Sequence, residues 1–327
     1  MAEKKKINWL LILQGWAMLW VVIGHSFLGE PGKGPEWENI LYNTAYSFHM
    51  PLFMLVSGWL FYLTRLLEGK WTYPAIISDK SVRLLLPGFV FSLVAFSVKI
   101  AFPGEMTRPT GYSLQDILHA YLFPNDNPLR ELWFIATLFW FFLLVPLWKY
   151  VLNRRWAMWG MLAILVGLHF IKLNVELLCL DRVVNYAVWF YMGLVVSKEK
   201  YVEALIKYPW NVLLVGMCVW LLGQYTIPFI VTIGCMTVSL ALALLADRYV
   251  PRLLFSFRNY TYQIFLMGIF AQVFVKIIYR HVEMPYVAAF VLCVVMGLYV
   301  PVLVSKCVEA INWHPLCLCV GLKGRKA

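Results

Sequence analysis

The chain contains 327 residues, of which 62% are hydrophobic and 14% are charged, whereas soluble domains average about 45–50% apolar and about 25% charged residues. Such a chain cannot bury its apolar surface in one aqueous core, which excludes a soluble globular protein and requires lipid as part of its solvent. The net charge of +11 would fit a nucleic-acid partner, but the loop charges described below explain it as a membrane orientation signal.

The first apolar segment follows a lysine-rich N-terminus, as in a secretory signal peptide. The apolar run is longer than the hydrophobic region of a typical signal peptide, and no A-x-A-like cleavage site follows it. We therefore interpret this segment as a retained first membrane span.

Ten segments of the chain approach or meet the length of about 20 mostly apolar residues that a membrane-crossing helix needs. We predict an all-α fold, a polytopic membrane helix bundle that forms one domain over residues 1–327 without a soluble domain. No internal repeat is evident, which weakens an inverted-repeat transporter interpretation. The predicted spans lie at 8–28, 40–63, 82–102, 132–152, 156–173, 183–197, 209–225, 227–246, 259–279 and 285–305.

The distribution of lysine and arginine predicts the orientation of these spans. With the N-terminus placed in the cytoplasm, 20 of the 28 basic residues fall on the inner side and 7 on the outer side, while Lys99 lies within a span. This bias follows the positive-inside rule and supports ten spans with both termini in the cytoplasm. It also explains most of the basic charge without a nucleic-acid partner.

The first span carries two polar side chains, Gln14 and His25. Eleven residues at 100° each make about three full turns, so the two side chains share one helical face, about 16 Å apart along the axis. Ser26 lies near the same face. Such a polar stripe lines either a cavity or a helix contact, and the simpler alternative for His25 is a buried imidazole bonded to a neighbouring helix.

The second span contains His49 in its outer half, at a depth similar to that predicted for His25. Pro51 removes a backbone hydrogen bond beside it, and Ser57 and Gly58 allow close helix approach. A kinked helix with small residues next to a polar stripe indicates a cavity, although Pro51 is equally compatible with a purely structural kink. Lys99 and, more weakly, His169 are further ionisable residues within spans and therefore functional candidates.

Two more sets of residues lie at predicted membrane boundaries. Lys80 and Arg83 are three residues apart at the cytoplasmic edge of the third span, so they face the same way on a helix and suit an anion such as a phosphate. The alternative is ordinary positive-inside anchoring. Glu131 opens the fourth span at the outer boundary, where it could orient an imidazole or a sugar hydroxyl.

Four stretches together resemble a known family: "LILQGWAMLWVVIGH" in the first span, "FHMPLFMLVSGWLF" in the second, "KSVRLLLPGF" at the third and "ELWFIATLFW" at the fourth. They resemble the acyltransferase-3 superfamily of integral-membrane acyltransferases, in particular the stand-alone polysaccharide or sugar O-acetyltransferase type. Two positions depart from that pattern. The cation of the family's first span is Gln14 here, and a histidine that often ends the ninth-span segment corresponds to Gly268.

The resemblance implies a multi-pass enzyme, expected in a bacterial cytoplasmic membrane, that passes an acyl group, usually acetyl, from acetyl-CoA to a glycan hydroxyl. His25 would be the central catalytic residue, as a general base or through an acyl-imidazole, with His49 and Glu131 beside it. Lys80 and Arg83 would contact the CoA phosphates, and Gln14 would bond to the pantetheine arm in a tunnel through the bundle.

Three questions stay open at this point. The first rival function is a transporter or flippase for a glycan or small solute, although the scarcity of intramembrane carboxylates argues against ion coupling. The second rival function is that of a membrane component that has lost its catalytic activity. The departures from the family pattern at Gln14 and Gly268 are compatible with this alternative. The third question is whether copies of the chain associate into a homo-oligomer. We expect no metal cofactor, because no C-x-x-C pair occurs among the seven cysteines.

Overall fold

The structure is a computed structural model that describes residues 7–29, 35–66, 71–105, 111, 113–199 and 201–322. Ten of the basic residues that set the predicted orientation lie outside these described ranges: Lys4, Lys5, Lys6, Lys33, Lys70, Arg108, Lys200, Lys323, Arg325 and Lys326.

The described ranges form helices and connecting turns and contain no β-strand, which confirms the all-α fold. Their α-helices are α1 (Asn8–His25), α2 (Glu36–Phe61), α3 (Tyr73–Lys80), α4 (Leu86–Ala101), α5 (Leu114–Leu122), α6 (Leu132–Leu143), α7 (Val145–Leu152), α8 (Arg155–His169), α9 (Leu180–Glu199), α10 (Tyr201–Lys207), α11 (Pro209–Gln224), α12 (Pro228–Tyr249), α13 (Thr261–His281), α14 (Tyr286–Ile311) and α15 (His314–Cys319).

Within the described residues, seven helical segments are long and apolar enough to cross a membrane. They contain α1, α2, α3 with α4, α9, α12, α13 and α14. An eighth would be α6 with α7, which are bent by 54° relative to each other, and α11 is a shorter apolar helix. The protein is therefore a multi-pass membrane protein, while the number of ten spans and the side on which each terminus lies stay predictions.

Two helical segments contain a widened π-helical turn, at Tyr62–Leu66 after α2 and at Ser81–Leu85 between α3 and α4. Such turns occur most often at functional sites. In contrast, α2 continues through Pro51, so the missing proline N–H removes one hydrogen bond without ending the helix.

The chain divides into two compact units. The first unit comprises residues 1–57 and 196–303, and within it α1 packs against α12 and α13. Helices α11 and α12 form a tight pair because glycines let their backbones approach. A Cβ at Gly216 would lie 2.8 Å from the backbone nitrogen of Val238, and one at Gly223 would lie 2.6 Å from that of Val231.

The second unit comprises residues 58–195 and 304–327. Gly58 sits directly against the backbone carbonyl of Phe190 in α9, which confirms the close helix approach predicted from the sequence. Near the C-terminus, Val308, Cys317 and Val320 form a small buried cluster that covers part of α4.

Candidate functional site

Helix α1 carries both polar residues of the first span on one unbroken helix. It runs from Asn8 to His25, so His25 is its last residue and Ser26 caps it. Gln14 and His25 are both half-buried. The helical continuity supports the predicted separation of about 16 Å between them along the axis.

The polar stripe of α1 is a helix contact with α13. Gln14 Nε2 donates to Thr261 Oγ1 at 2.9 Å. Twelve residues further along, Ser26 Oγ accepts from Gln272 Nε2 at 2.8 Å, and the same amide nitrogen reaches the carbonyl of Val22 at 2.8 Å. At Gln14 and Ser26 the stripe therefore makes a helix contact. Sequence reasoning missed Gln272, although a glutamine in an apolar span is itself a signal of a polar partner.

His25 and His49 of the first unit lie near each other. The Tyr46 hydroxyl of α2 donates to the carbonyl of Gly24 at 3.2 Å, next to His25. The Tyr46 ring meets the His49 ring edge to face, with centroids 4.9 Å apart and planes at 85°. The two imidazoles are also close enough to interact electrostatically. Tyr46 thus joins the two helix turns that carry the histidines.

His49 is buried, with 3% of its surface exposed, and its orientation is set by its own helix. Its Nδ1 lies 2.6 Å from the carbonyl oxygen of Ala45, one turn earlier. Because a carbonyl oxygen can only accept, Nδ1 carries the proton, and in a neutral ring Nε2 then holds the lone pair. The fold therefore presents His49 with a basic Nε2 rather than a basic Nδ1.

A buried guanidinium lies beside the Gln14 level of α1. Arg258 is 5% exposed and donates to the Asn8 side chain at 2.7 Å and to the carbonyl of Pro251 at 3.2 Å. Asn8 in turn donates to Asp247 Oδ1 at 2.6 Å. A Cβ at Gly15 would lie only 2.8 Å from Arg258 Cβ. In the sequence, Arg258 is one of the basic residues predicted on the inner side, and its burial is not predictable because it depends on distant residues.

In the second unit, three cations surround one carboxylate, and we call Arg65, Asp79, Lys80 and Arg83 the cationic cluster. Asp79 accepts from Arg65 at 2.6 Å and from Arg83 at 2.8 Å. The Lys80 ammonium instead lies over the ring of Phe142, 4.6 Å from its centroid. Three positive charges against one negative charge leave a local excess that favours an anion.

Arg65 is the member of the cationic cluster that the sequence did not indicate. It lies on the π-helical turn after α2, and its guanidinium also covers the Trp71 ring at 3.7 Å. Arg83 lies on the second π-helical turn. The predicted pair of Lys80 and Arg83 is thus part of a larger group, in which the two side chains have different partners.

The remaining predicted residues lie at the ends of helices. Glu131 is the residue before α6, in the second unit, and its predicted partnership with His25 stays a prediction. His169 ends α8, and its Nδ1 lies 2.8 Å from the carbonyl oxygen of Asn185, which gives this ring a structural hydrogen bond. Lys99 lines a polar cleft that is described further below.

Comparison with known families decides the class of this protein. The acyltransferase-3 model, described as an acyltransferase domain, matches residues 7–306. The chain belongs to the acyltransferase-3 family. The matched range covers the histidines of the first unit and the cationic cluster of the second, which confirms the resemblance seen in the four sequence stretches and makes the protein a multi-pass membrane member of this family.

A relative is similar over part of this chain. The nodulation protein NolL of Mesorhizobium japonicum is 29% identical over 127 residues, which are 38% of this chain and 31% of the relative. The matched region thus spans less than a third of the relative's own length. No solved structure matches the chain.

The structure also accounts for the departure at Gly268. A Cβ at this position would lie 2.9 Å from the carbonyl oxygen of Gly297 in α14. Helices α13 and α14 therefore approach each other through two glycines, and a histidine side chain could not be added here without separating them.

Proposed function

We propose that this acyltransferase moves an acetyl group from cytoplasmic acetyl-CoA to a hydroxyl of a cell-surface or lipid-linked glycan, in a bacterial cytoplasmic membrane. The observation that carries the proposal is that Tyr46 of α2 joins the helix turns that carry His25 and His49. An imidazole has a reference pKa of about 6.5 and therefore takes and releases a proton near neutral pH.

In the proposed reaction His25 is the base. It removes the proton from the acceptor hydroxyl while the oxygen attacks the thioester carbonyl. The C–O bond forms, the C–S bond breaks, and the CoA sulfur leaves with the proton that His25 took up. The alternative is attack by His25 itself, which gives an acyl-imidazole that the acceptor hydroxyl then cleaves. In both routes the imidazole ends in its starting state.

His49 supports this chemistry as a positioning residue. Its Nδ1 is committed to Ala45, so it cannot rotate without losing that hydrogen bond. A fixed ring with a basic Nε2 can accept a hydrogen bond from the acceptor hydroxyl or from a protonated His25. We assign Glu131 to the acceptor as well, because a carboxylate suits a sugar hydroxyl.

The cationic cluster is proposed to hold the CoA phosphates. Arginine pairs with phosphate oxygens in a two-pronged geometry, and lysine binds them as a point charge. Arg83 is partly exposed, with 44% of its side chain accessible, so a ligand can reach it. Gln14 donates through Nε2 to Thr261, which leaves its Oε1 as the atom for an N–H group of the pantetheine arm.

The test is transfer from radiolabelled acetyl-CoA to a panel of lipid-linked and soluble glycans by the purified full chain. We expect label in the acceptor with wild type, and a strong loss with His25→Ala. His314→Ala is the matched control, because His314 is exposed at the start of α15 in the second unit. Full transfer by purified His25→Ala would contradict the catalytic role.

A second readout separates the two chemical routes. Acid quenching without acceptor should trap label on the protein only if an acyl-imidazole forms. Substrate movement across liposomes without consumption of acetyl-CoA would instead favour the flippase alternative.

A further inference from the structure

An elongated apolar cavity of about 530 Å³ lies within the second unit. One wall is a stripe along α6, formed by Leu132, Ile135, Ala136, Phe139, Trp140 and Leu143. These residues follow the helical spacing of three and four, and the stripe covers about 16 Å along the helix axis. The bend after α6 lies at the Leu143 end of this stripe.

The cavity has the dimensions of a hydrocarbon chain in one leaflet. Half of a hydrocarbon core of about 30 Å is about 15 Å, close to the length of the α6 stripe. The facing wall comes from α4, where Gly88 brings the helices together: a Cβ there would lie 3.2 Å from Ile135 Cδ1. Apolar pockets of 300–1,000 Å³ are typical of small-molecule sites.

One polar group in this cavity, the Tyr121 hydroxyl, has no partner of its own. Its oxygen is buried, and the side chain that interacts with it is Ser92. Ser92 is shared, because it also exchanges hydrogen bonds of 3.1 and 3.0 Å with the Asn127 side chain. Burial raises the pKa of Tyr121, so the hydroxyl remains a donor. A ligand oxygen would give this buried donor an acceptor that Asn127 does not share.

A polar cleft of about 350 Å³ shares Ala120 and Asn127 with the apolar cavity. Its charged and polar lining residues are Lys99, Asp116, His119, Asn125, Asp126 and Arg130. Cations and carboxylates are both present, which suits a head group that carries a phosphate together with hydrogen-bond donors. The apolar cavity therefore lies beside the polar cleft, as the hydrocarbon chain of an amphiphile lies beside its polar head.

Helix α5, which carries Tyr121, has the pattern of a helix that lies in the membrane surface. Leu114, Leu118 and Leu122 are four residues apart and are 73%, 56% and 47% exposed, so they form one apolar stripe facing outward. Ala120 on the other side is buried. Amphipathic helices of this kind bury their apolar face in the lipid boundary, which places lipid next to the cavity.

We propose that the cavity and cleft bind one amphiphile with a hydrocarbon chain and a phosphate-bearing polar head. The chain occupies the stripe along α6, the Tyr121 hydroxyl donates to an oxygen near the head, and Lys99 and Arg130 face the phosphate. This chemistry has two sources, a membrane phospholipid and a sugar joined to an isoprenoid phosphate. The site does not depend on acyl transfer.

The test is photocrosslinking of the purified full chain in nanodiscs of phosphatidylcholine and phosphatidylglycerol. Two probes are used, a phosphatidylethanolamine with a diazirine in its acyl chain and an isoprenoid phosphate sugar with a diazirine in its chain. We expect at least one probe to label α6 and α4 peptides that line the cavity. The probe with the higher yield identifies the source.

Ala136→Phe fills the cavity and should lower the labelling of those peptides at least fivefold. Ala163→Phe is the matched control, since Ala163 lies exposed on α8 away from the cavity, and should leave the labelling unchanged. Tyr121→Phe is isosteric, and should weaken labelling about threefold relative to Tyr150→Phe, a change at an exposed tyrosine. Tyr121→Phe also tests the site if Ala136→Phe does not fold.

The proposal is overturned if both probes label the exposed face of α8 as heavily as the cavity and neither Ala136→Phe nor Tyr121→Phe changes the yield. Because labelling does not require acetyl-CoA, an enzyme without the proposed acetyl transfer could still bind the amphiphile, and the two failures are distinguishable.

Discussion

We call His25, His49 and the contacts of α1 with α13 the histidine region. This region of the first unit and the cationic cluster of the second unit differ in how their polar groups are paired. Along the helix that carries His25, neutral groups are paired with one another: Gln14 with Thr261 and, next to His25, Ser26 with Gln272. The cationic cluster instead has three cations for a single carboxylate, Asp79. The first region is electrically balanced, whereas the second has a positive excess.

Under the proposed function, the two regions would have different tasks. A balanced, hydrogen-bonded environment keeps an imidazole in place and leaves its charge free to change during proton transfer. A positive excess holds an anion without taking part in chemistry. We therefore expect variants of the histidine region to change kcat and variants of the cationic cluster to change the KM for the donor.

The largest expected effect tests the histidine pair as a unit. His25→Ala should lower kcat by about 10²–10⁴-fold, the usual contribution of a general base. His49→Ala should also lower kcat, and the double variant should be little worse than His25→Ala alone, because groups that act together are not additive. The measurement is a double-mutant cycle of acetyl transfer. Independent, multiplying effects would break the assignment of His49 as a positioning residue.

The second prediction tests the helix that carries both His49 and Arg65, since both lie on the segment Glu36–Leu66. Gly58→Ala places a methyl group against the Phe190 carbonyl and should destabilise the protein by about 1–3 kcal/mol. The matched control is Gly160→Ala, where no atom lies within 4 Å of the added Cβ. Thermal unfolding in detergent measures both, and equal unfolding temperatures would contradict the close approach.

The third prediction sharpens the assignment of the cationic cluster. Lys80→Gln and Arg83→Gln should each raise the KM for acetyl-CoA about 10- to 150-fold with kcat nearly unchanged, because a charged hydrogen bond contributes about 1.5–3 kcal/mol. Lys306→Gln is the control, as an exposed lysine of the same unit. Steady-state kinetics at two salt concentrations provide the measurement, and a fall in kcat at constant KM would exclude simple donor binding.

A smaller effect is expected at the neutral contacts between α1 and α13. Gln272→Leu removes two hydrogen bonds and should cost about 1 kcal/mol, whereas Gln14→Leu removes one and should cost about 0.6 kcal/mol. Unfolding by a denaturing detergent measures the stability of each variant, and we expect Gln272→Leu to be the less stable of the two. The reverse order would show that Gln14 has a larger structural role than its single contact indicates.

The smallest expected effect is a pH dependence of the stability of the N-terminal end of α5. Ser113, through its side chain and its backbone N–H, lowers the pKa of Asp116. The carboxylate therefore stabilises the helix end above its unfolded pKa of about 3.9, and this contribution is lost as the pH falls through the lower folded value. Hydrogen exchange of α5 should differ between wild type and Asp116→Asn at neutral pH and converge at acidic pH.

Much of the candidate site was predictable because its signals are local. The catalytic candidate His25 and Gln14 share one helix whose periodicity is fixed, and Lys80 and Arg83 lie within one turn of each other. Other members could not be predicted. Arg65 joins the cationic cluster through Asp79, fourteen residues later in the chain, and no spacing rule indicates that a π-helical turn will direct it there.

The sequence by itself determined that this protein is all-helical, spans the membrane several times and belongs to a family of acyltransferases, because hydropathy, charge bias and short motifs are properties of neighbouring residues. Only the tertiary structure decided which groups satisfy each buried polar side chain. The partner of Gln14 is 247 residues away, and the cavity along α6 exists only where α4, α5 and α6 meet. Such contacts depend on how helices pack in three dimensions, which local patterns do not encode.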